Sequence, residues 1–437
     1  MDSRSEAGPT LETMRFLIAS LFLLSLLPAA AQTAPVMTLH DLKDAETLGA
    51  DLYANSRATG LVLMVVRGDQ MYFKGYGEAV PGSHIAPGMN TEVRLCSLTK
   101  IFTTDLMAKL VADGKVRLDD PLLKYAPAGA VVPEKDAPIT LEDLATHTAG
   151  LDREIGTAPR RTPHFTYPDY DLRWHWLANT ELKFTPGTKA FYSNVGFDLL
   201  SDALAEASHT PYAALLDSRT LKPLKMWNTT FYPNPGQCER LMTGAHEEGP
   251  CTITASTEGS SGLYSTPADM VKFLTYLVGE SARTEPEGDN ALGVYLQPAS
   301  LKGQYGLDHA GRPSGIGLGW MHVGGNEDVS HIIQKTGGGA GFTTYIAIHP
   351  ASHTALFVAM TEGQHGWSPG FNLFKASNNG LLALAGLPPL PDARMRRAGS
   401  RHVVRSSQTK RGKRASKQRR VVRVSQRNAT RRSSKLR

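Results

Sequence analysis

The clearest alternation of apolar and polar positions lies between Ser97 and Asp113, SLTKIFTTDLMAKLVAD. Leu98, Ile101, Phe102, Leu106, Met107, Leu110 and Val111 recur at three- and four-residue steps, which predicts a helix with one buried face. Gly114 stops it. Two β-rich runs between Gly60 and Tyr76 flank Arg67-Gly68-Asp69, a hairpin signal. Strands are expected again at His331–Thr336, Phe342–His349 and Thr354–Met360. Further helices are expected at Leu141–His147, Asp198–Ala207, Thr266 to about Leu277, and Asn372–Ala385. Strands therefore gather toward both ends of the body, while short helical patterns broken by Pro and Gly fill about 118–257. That order predicts an α/β (α+β) sandwich, with an antiparallel sheet built from both chain ends, flanking helices and an inserted, mostly helical subdomain.

The two ends of the chain change this picture. Met14-Arg15 precedes an apolar run, Phe16–Leu27, followed by Pro28 and Ala29-Ala30-Ala31. A basic start, a short apolar core and small residues are the parts of a cleavable secretory signal, so 1–31 is read as an N-terminal extension and signal peptide. Glu6 and Glu12 do not suit a signal's basic start, which leaves Met1 and Met14 both open as the first residue. The net charge of +6 hides a second asymmetry. Residues 394–437 carry 18 Lys or Arg and no Asp or Glu, so the remaining chain holds 29 basic against 41 acidic side chains, a balance of −12. Such a tail has too few large apolar residues to bury a core and is expected to be disordered. Attraction to an anionic cell-wall polymer or lipid surface is its functional reading, and a solvated tail without function its plain one. Nucleic acid fits the charge but not the export signal. The catalytic body is then 37–393.

Cys238 and Cys251 stand 13 residues apart and can pair in an oxidising compartment, where closing such a loop is worth about 3 kcal/mol. Cys96 is left over and reads as a buried structural thiol. No Cys/His spacing suits zinc, and no H-E-x-x-H occurs, so neither metal nor cofactor is expected.

Three short motifs carry chemistry: Ser97-Leu98-Thr99-Lys100, Tyr192-Ser193-Asn194 and Lys335-Thr336-Gly337. Each is weak alone, as chance copies at Ser407–Lys410 and Tyr53–Asn55 show. Their order and contexts are specific. Ser97 and Lys100 share one helix face. Burial of the lysine favours a neutral amine able to take the serine proton. Two ammonium groups near Tyr192 would stabilise its phenolate for proton shuttling. Asn194, two residues on in extended backbone, would face the same way and offer its amide to a substrate carbonyl. Lys335 and Thr336 at a strand end can hold a carboxylate, and Gly337 with its neighbours lets a peptide lie along the strand edge. Neither a phosphate loop nor a G-x-S-x-G elbow is present.

With RLCSLTKIFTT, ITLEDLATHTAGL, FYSNVGFDLL, GLGW and IIQKTGGGAGFTTYIAIHP, the body resembles the AmpH-type penicillin-binding proteins, relatives of the class C β-lactamases. The resemblance implies a penicillin-binding D-alanyl-D-alanine carboxypeptidase/endopeptidase with peptidoglycan stem peptides and β-lactams as partners, and the signal peptide adds an expected location in the periplasm, where the protein could lie peripheral to the inner membrane. It implies Ser97 as acylated nucleophile and Lys100 and Tyr192 as the proton-transfer pair. Asn194, Lys335, Thr336 and Gly337 would bind substrate, and the backbone N–H groups of Ser97 and Gly338 would form the oxyanion hole. The Cys238/Cys251 pair also resembles that group. Lys335, where esterase and amidase relatives often carry histidine, tilts the choice toward carboxylate-bearing peptides. A class C-type β-lactamase, a D-amino-acid amidase or esterase, and a non-catalytic wall-binding or β-lactam-sensing receptor stay open as alternatives.

Overall fold

The structure, a computed structural model, describes residues 39–246, 249–282, 291–325 and 329–391. The expected signal peptide and basic tail lie outside these residues. One compact unit ends at Leu390. Its strands are β1 (Gly60–Arg67), β2 (Gln70–Gly77), β3 (Val93–Arg94), β4 (Ala190–Phe191), β5 (Tyr264–Ser265), β6 (Gln304–Tyr305), β7 (Gly315–Ile316), β8 (Met321–Val323), β9 (Ile332–Gly339), β10 (Phe342–His349) and β11 (Thr354–Thr361). Its α-helices are α1 (Ala45–Ser56), α2 (Thr99–Ala112), α3 (Leu141–Ala145), α4 (Tyr170–Ala178), α5 (Asn194–Ser208), α6 (Tyr212–Leu216), α7 (Pro235–Glu239), α8 (Pro267–Ser281) and α9 (Leu373–Leu384).

Seven strands form one antiparallel sheet in the order β2-β1-β11-β10-β9-β8-β7. Both chain ends contribute, which is the fold class expected from the sequence. The apolar run of β1 is unbroken because both sheet faces are covered. Val62, Met64 and Val66 enter the core shared with α2 and α8, while Leu61, Leu63 and Val65 enter a second core beneath α1 and α9. The β9–β10 hairpin turns at Ala340 and Gly341, both with positive φ (49° and 74°), the requirement of a tight two-residue connection.

The structure corrects the reading of α2. An amphipathic helix with one buried face was expected. Instead every residue from Thr99 to Met107 is buried, because the helix lies inside the molecule, between the sheet and the helical layer. Its polar side chains are all partnered, as burial demands. Thr99 Oγ1 donates to Cys96 O at 2.8 Å and Thr103 Oγ1 to Gly259 O at 2.7 Å. The Asp105 carboxylate accepts from Lys109, Thr220 and Tyr276. Phe102 stacks on Phe273 of α8, ring centres 4.0 Å apart.

Cys238 and Cys251 are joined by a disulfide, Cα atoms 5.6 Å apart. Cys96 is fully buried, and burial pushes its thiol up to about 12, against the charges of Arg94 and Lys100, so it is an inert neighbour of Ser97.

Glu92, just before β3, is fully buried, and neither carboxylate oxygen has a hydrogen-bond partner among the described residues. Arg240 lies 3.9 Å away, too far to compensate. Burial pushes the Glu92 carboxyl up to about 8. A folded-state pKa above the unfolded one means stability that is complete at low pH and drains away as pH rises from about 4.5 through 8. Glu92→Gln should therefore flatten the fall in melting temperature between pH 5 and pH 9, gaining several degrees at the alkaline end. Parallel melting curves for variant and parent across that range would refute this.

Candidate active site

The turn Cys96–Leu98, which feeds α2, packs against β9 and β10. Cys96 holds φ at 52°, a left-handed conformation uncommon for a residue with a side chain and therefore strained. The turn is held by Thr344 Oγ1, which donates to Leu95 O at 2.9 Å. Gly337 is required here. A Cβ at that position would sit 2.1 Å from Thr344 Oγ1, 2.9 Å from Leu95 O and 3.3 Å from the Ser97 backbone nitrogen. Only a bare backbone lets β9 lie against the serine turn.

Lys100, one turn further on, is fully buried. Its Nζ donates to Asn194 Oδ1 at 2.6 Å and to Ser260 O at 2.9 Å, and lies 3.4 Å from Ser97 Oγ. The two acceptors, a carbonyl and an amide oxygen, must each receive an N–H. The third direction of the amine is the one that faces the serine hydroxyl.

Tyr192 completes the group. Three cations lie about its ring: Lys100 Nζ at 4.9 Å from the centroid, Lys335 Nζ at 5.0 Å and Arg153 Cζ at 5.0 Å. Burial alone would raise the phenol, but the charges of Lys100 and Lys335, with hydrogen bonds to Ser97 and Lys100, bring it down to about 8. Lys335 is itself buried. Burial lowers it to about 8, the Tyr192 phenolate opposes that shift, and Lys100 and Arg153 add to it. Thr336 lies next to it, partly exposed, and no hydrogen bond engages its hydroxyl among the described residues. Gly338, at the exposed end of β9, pairs with Thr343.

Asn194 does reach the same site as Tyr192, but not through extended backbone. It is the first residue of α5, which starts four residues earlier than its apolar pattern indicated. Ser193 is the helix cap: its Oγ accepts from Gly196 N at 3.0 Å and donates to Asp152 O at 2.6 Å. The Asn194 amide is oriented from both sides, Oδ1 accepting from Lys100 and Nδ2 donating to Glu154.

Several neighbours escaped sequence reading. His147 lies 4.4 Å from the Tyr192 ring, centre to centre, and its Nδ1 accepts from Ser193 N at 3.2 Å. Burial, then the charges of Lys335, Lys100 and Arg153, push its pKa well down, so the imidazole is neutral. Behind Lys100, Ser260 Oγ donates to Asp198 Oδ2 at 3.1 Å. Burial pushes the Asp198 carboxyl up to about 7 despite the charges of Arg173 and Lys100. An aspartate in the otherwise apolar stretch Val195–Leu200 was a visible signal. Arg153, Glu154 and Ser260 gave none, since loop residues have no period to read, and His147 was read only as the end of a helix that closes at Ala145.

The chain is similar to known proteins over most of its length. The beta-lactamase family model matches residues 45–371. The chain is 42% identical over 313 residues to the Escherichia coli K12 protein named D-alanyl-D-alanine-carboxypeptidase/endopeptidase AmpH, covering 71% of this chain and 81% of that one. A crystal structure of a beta-lactamase/D-alanine carboxypeptidase from Yersinia pestis, complexed with citrate, superposes with a TM-score of 0.72 at 38% identity, covering 78% of this chain and 97% of the other. The octameric penicillin-binding protein homologue of Pyrococcus abyssi shares the fold at 21% identity, with a TM-score of 0.63, over 82% of this chain and 81% of its own. A serine turn braced on a glycine of β9, with a buried lysine and a tyrosine beside it, thus sits within a match spanning most of the sequence: the chain belongs to the beta-lactamase family.

Proposed function

We propose that this protein is a serine D-alanyl-D-alanine carboxypeptidase/endopeptidase that cleaves peptidoglycan stem peptides through an acyl-enzyme on Ser97, and that it is acylated by β-lactams. The observation that carries the reading is the position of Lys100 Nζ, 3.4 Å from Ser97 Oγ, with two fixed acceptors taking its other directions. With those two acceptors fixed, the remaining direction of the Lys100 amine is turned to the Ser97 hydroxyl, which places it on the path of the serine proton. Ser97 Oγ then attacks the carbonyl of the penultimate D-alanine. Negative charge develops toward the backbone N–H groups of Ser97 and Gly338. The departing amine takes a proton through Tyr192, whose pKa near 8 suits both giving and accepting it. Asn194 and Lys335 bind and polarise the peptide, and Thr336 helps hold its carboxylate end. Water later hydrolyses the ester.

Such a substrate lies outside the cytoplasm, so the reading goes with export by the expected signal peptide and a periplasmic location. The basic tail would hold the enzyme near anionic wall or lipid. Among the described residues, no helix is long and apolar enough to cross a membrane.

The test combines two measurements on the wild-type protein: labelling by a fluorescent penicillin with timed release, and D-alanine release from a peptide ending in D-Ala-D-Ala. Labelling that decays slowly, together with D-alanine release, is expected. Rapid cephalosporin turnover with no D-alanine release would replace this reading with a β-lactamase.

A further inference from the structure

Three cations converge on one phenol, and they are not equivalent. Lys100 and Lys335 are buried, at 0% and 3% exposure, and both charges face Tyr192. The Arg153 side chain is 56% exposed. It is nevertheless held in place. Its backbone carbonyl accepts from Asn194 N at 2.9 Å and Val195 N at 3.4 Å, which clips the loop after α3 onto the first turn of α5. Its guanidinium stays 5.0 Å from the Tyr192 ring centre. Its only ion-pair partner among the described residues is Glu154, at 3.8 Å from Nε, beyond hydrogen-bond reach, and Glu154 already receives Asn194 Nδ2. The forked end of Arg153 is left facing solvent beside the reacting groups.

We propose that Arg153 is a specificity-determining residue that receives the free carboxylate of the residue being released. The inference rests on the peptidase reading above and names the feature of the substrate that this site selects. A planar guanidinium matches a carboxylate through two parallel N–H···O bonds, and it keeps its charge at every working pH. Lys335, buried and with its pKa lowered, serves better to hold the charge of Tyr192 than to meet an incoming anion. The arrangement divides the work: two buried cations set the phenol, and one exposed cation reads the substrate. Glu154 contributes by orienting Asn194 and by repelling carboxylates misplaced along the loop.

The experiment compares matched pairs differing only at the carboxylate: a peptide ending in D-Ala-D-Ala against its C-terminal amide, and benzylpenicillin against its methyl ester. Arg153→Gln should lower kcat/KM on the free acid about 10- to 100-fold, mostly through KM, and fall far less on the amide. Arg153→Lys, which keeps the charge but not the fork, should recover part of the loss. The acylation rate should show the same contrast between penicillin and its ester. Equal losses on acid and neutral partners would assign Arg153 a general role in setting Tyr192 and overturn the proposal, as would no loss on either. Failure of the wild type to release D-alanine would sink the peptidase reading alone, because discrimination of penicillin from its ester still decides the role of Arg153. Wild-type protein acylated by neither would sink both.

Discussion

Ser97→Ala is expected to abolish covalent labelling by penicillin and to reduce D-alanine release by about 10⁴- to 10⁶-fold, as loss of a nucleophile does where no neighbour can replace it. No neighbour can. Cys96, the adjacent thiol, is buried, held near Gly339 O at 3.4 Å and raised to about 12, so it supplies no thiolate. Ser260 is buried and its hydroxyl is committed to Asp198. The substitution removes a single oxygen and leaves Lys100 its contacts to Asn194 and Ser260, so melting temperature should hardly change. Intact-mass spectrometry after penicillin treatment, beside a coupled D-alanine assay, checks it. Adduct formation on the variant, or undiminished D-alanine release, would move the nucleophile elsewhere.

Lys100→Met should slow acylation by about 10²- to 10⁴-fold, the range associated with a positioned base. Methionine fills the same buried space without an N–H or a lone pair. Asn194 Oδ1 and Ser260 O then lose their donor, a cost of about 1–3 kcal/mol for each buried group left unpaired. A second consequence has a definite sign. Lys100 and Lys335 together hold the Tyr192 phenol near 8. Removing one cation raises the phenol, so the residual pH–rate profile should climb at higher pH than in the parent. Stopped-flow acylation with a chromogenic β-lactam from pH 6 to pH 10 reads rate and profile together. An unchanged rate, or a rise displaced toward lower pH, would remove Lys100 from the proton path.

The outer fold was legible because local order carries it. The β1/β2 hairpin appeared as two apolar runs about Gly68, and β10 and β11 as uninterrupted runs of β-formers, each at the place found. Boundaries failed where a tertiary partner extends an element. β9 continues through Gly337 to Gly339, although glycine weakens strands, because β10 pairs with it residue by residue. α5 begins at Asn194 because Ser193 finds Asp152 and Gly196 to cap it.

The site divides in the same way. The sequence by itself determined which residue types stand ready and in what order: a serine and lysine one turn apart, a tyrosine two residues before an asparagine, and a lysine before glycines. These are short-range relations, set by helix period and chain order. Only the tertiary structure decided that Lys100 is buried with two fixed acceptors, that Asn194 is turned by Glu154, and that Arg153 is the exposed member of three cations about Tyr192. Burial, hydrogen-bond partners and the field at a phenol depend on residues tens to hundreds of positions away, whose distances are set when the sheet and the helical layer close on α2.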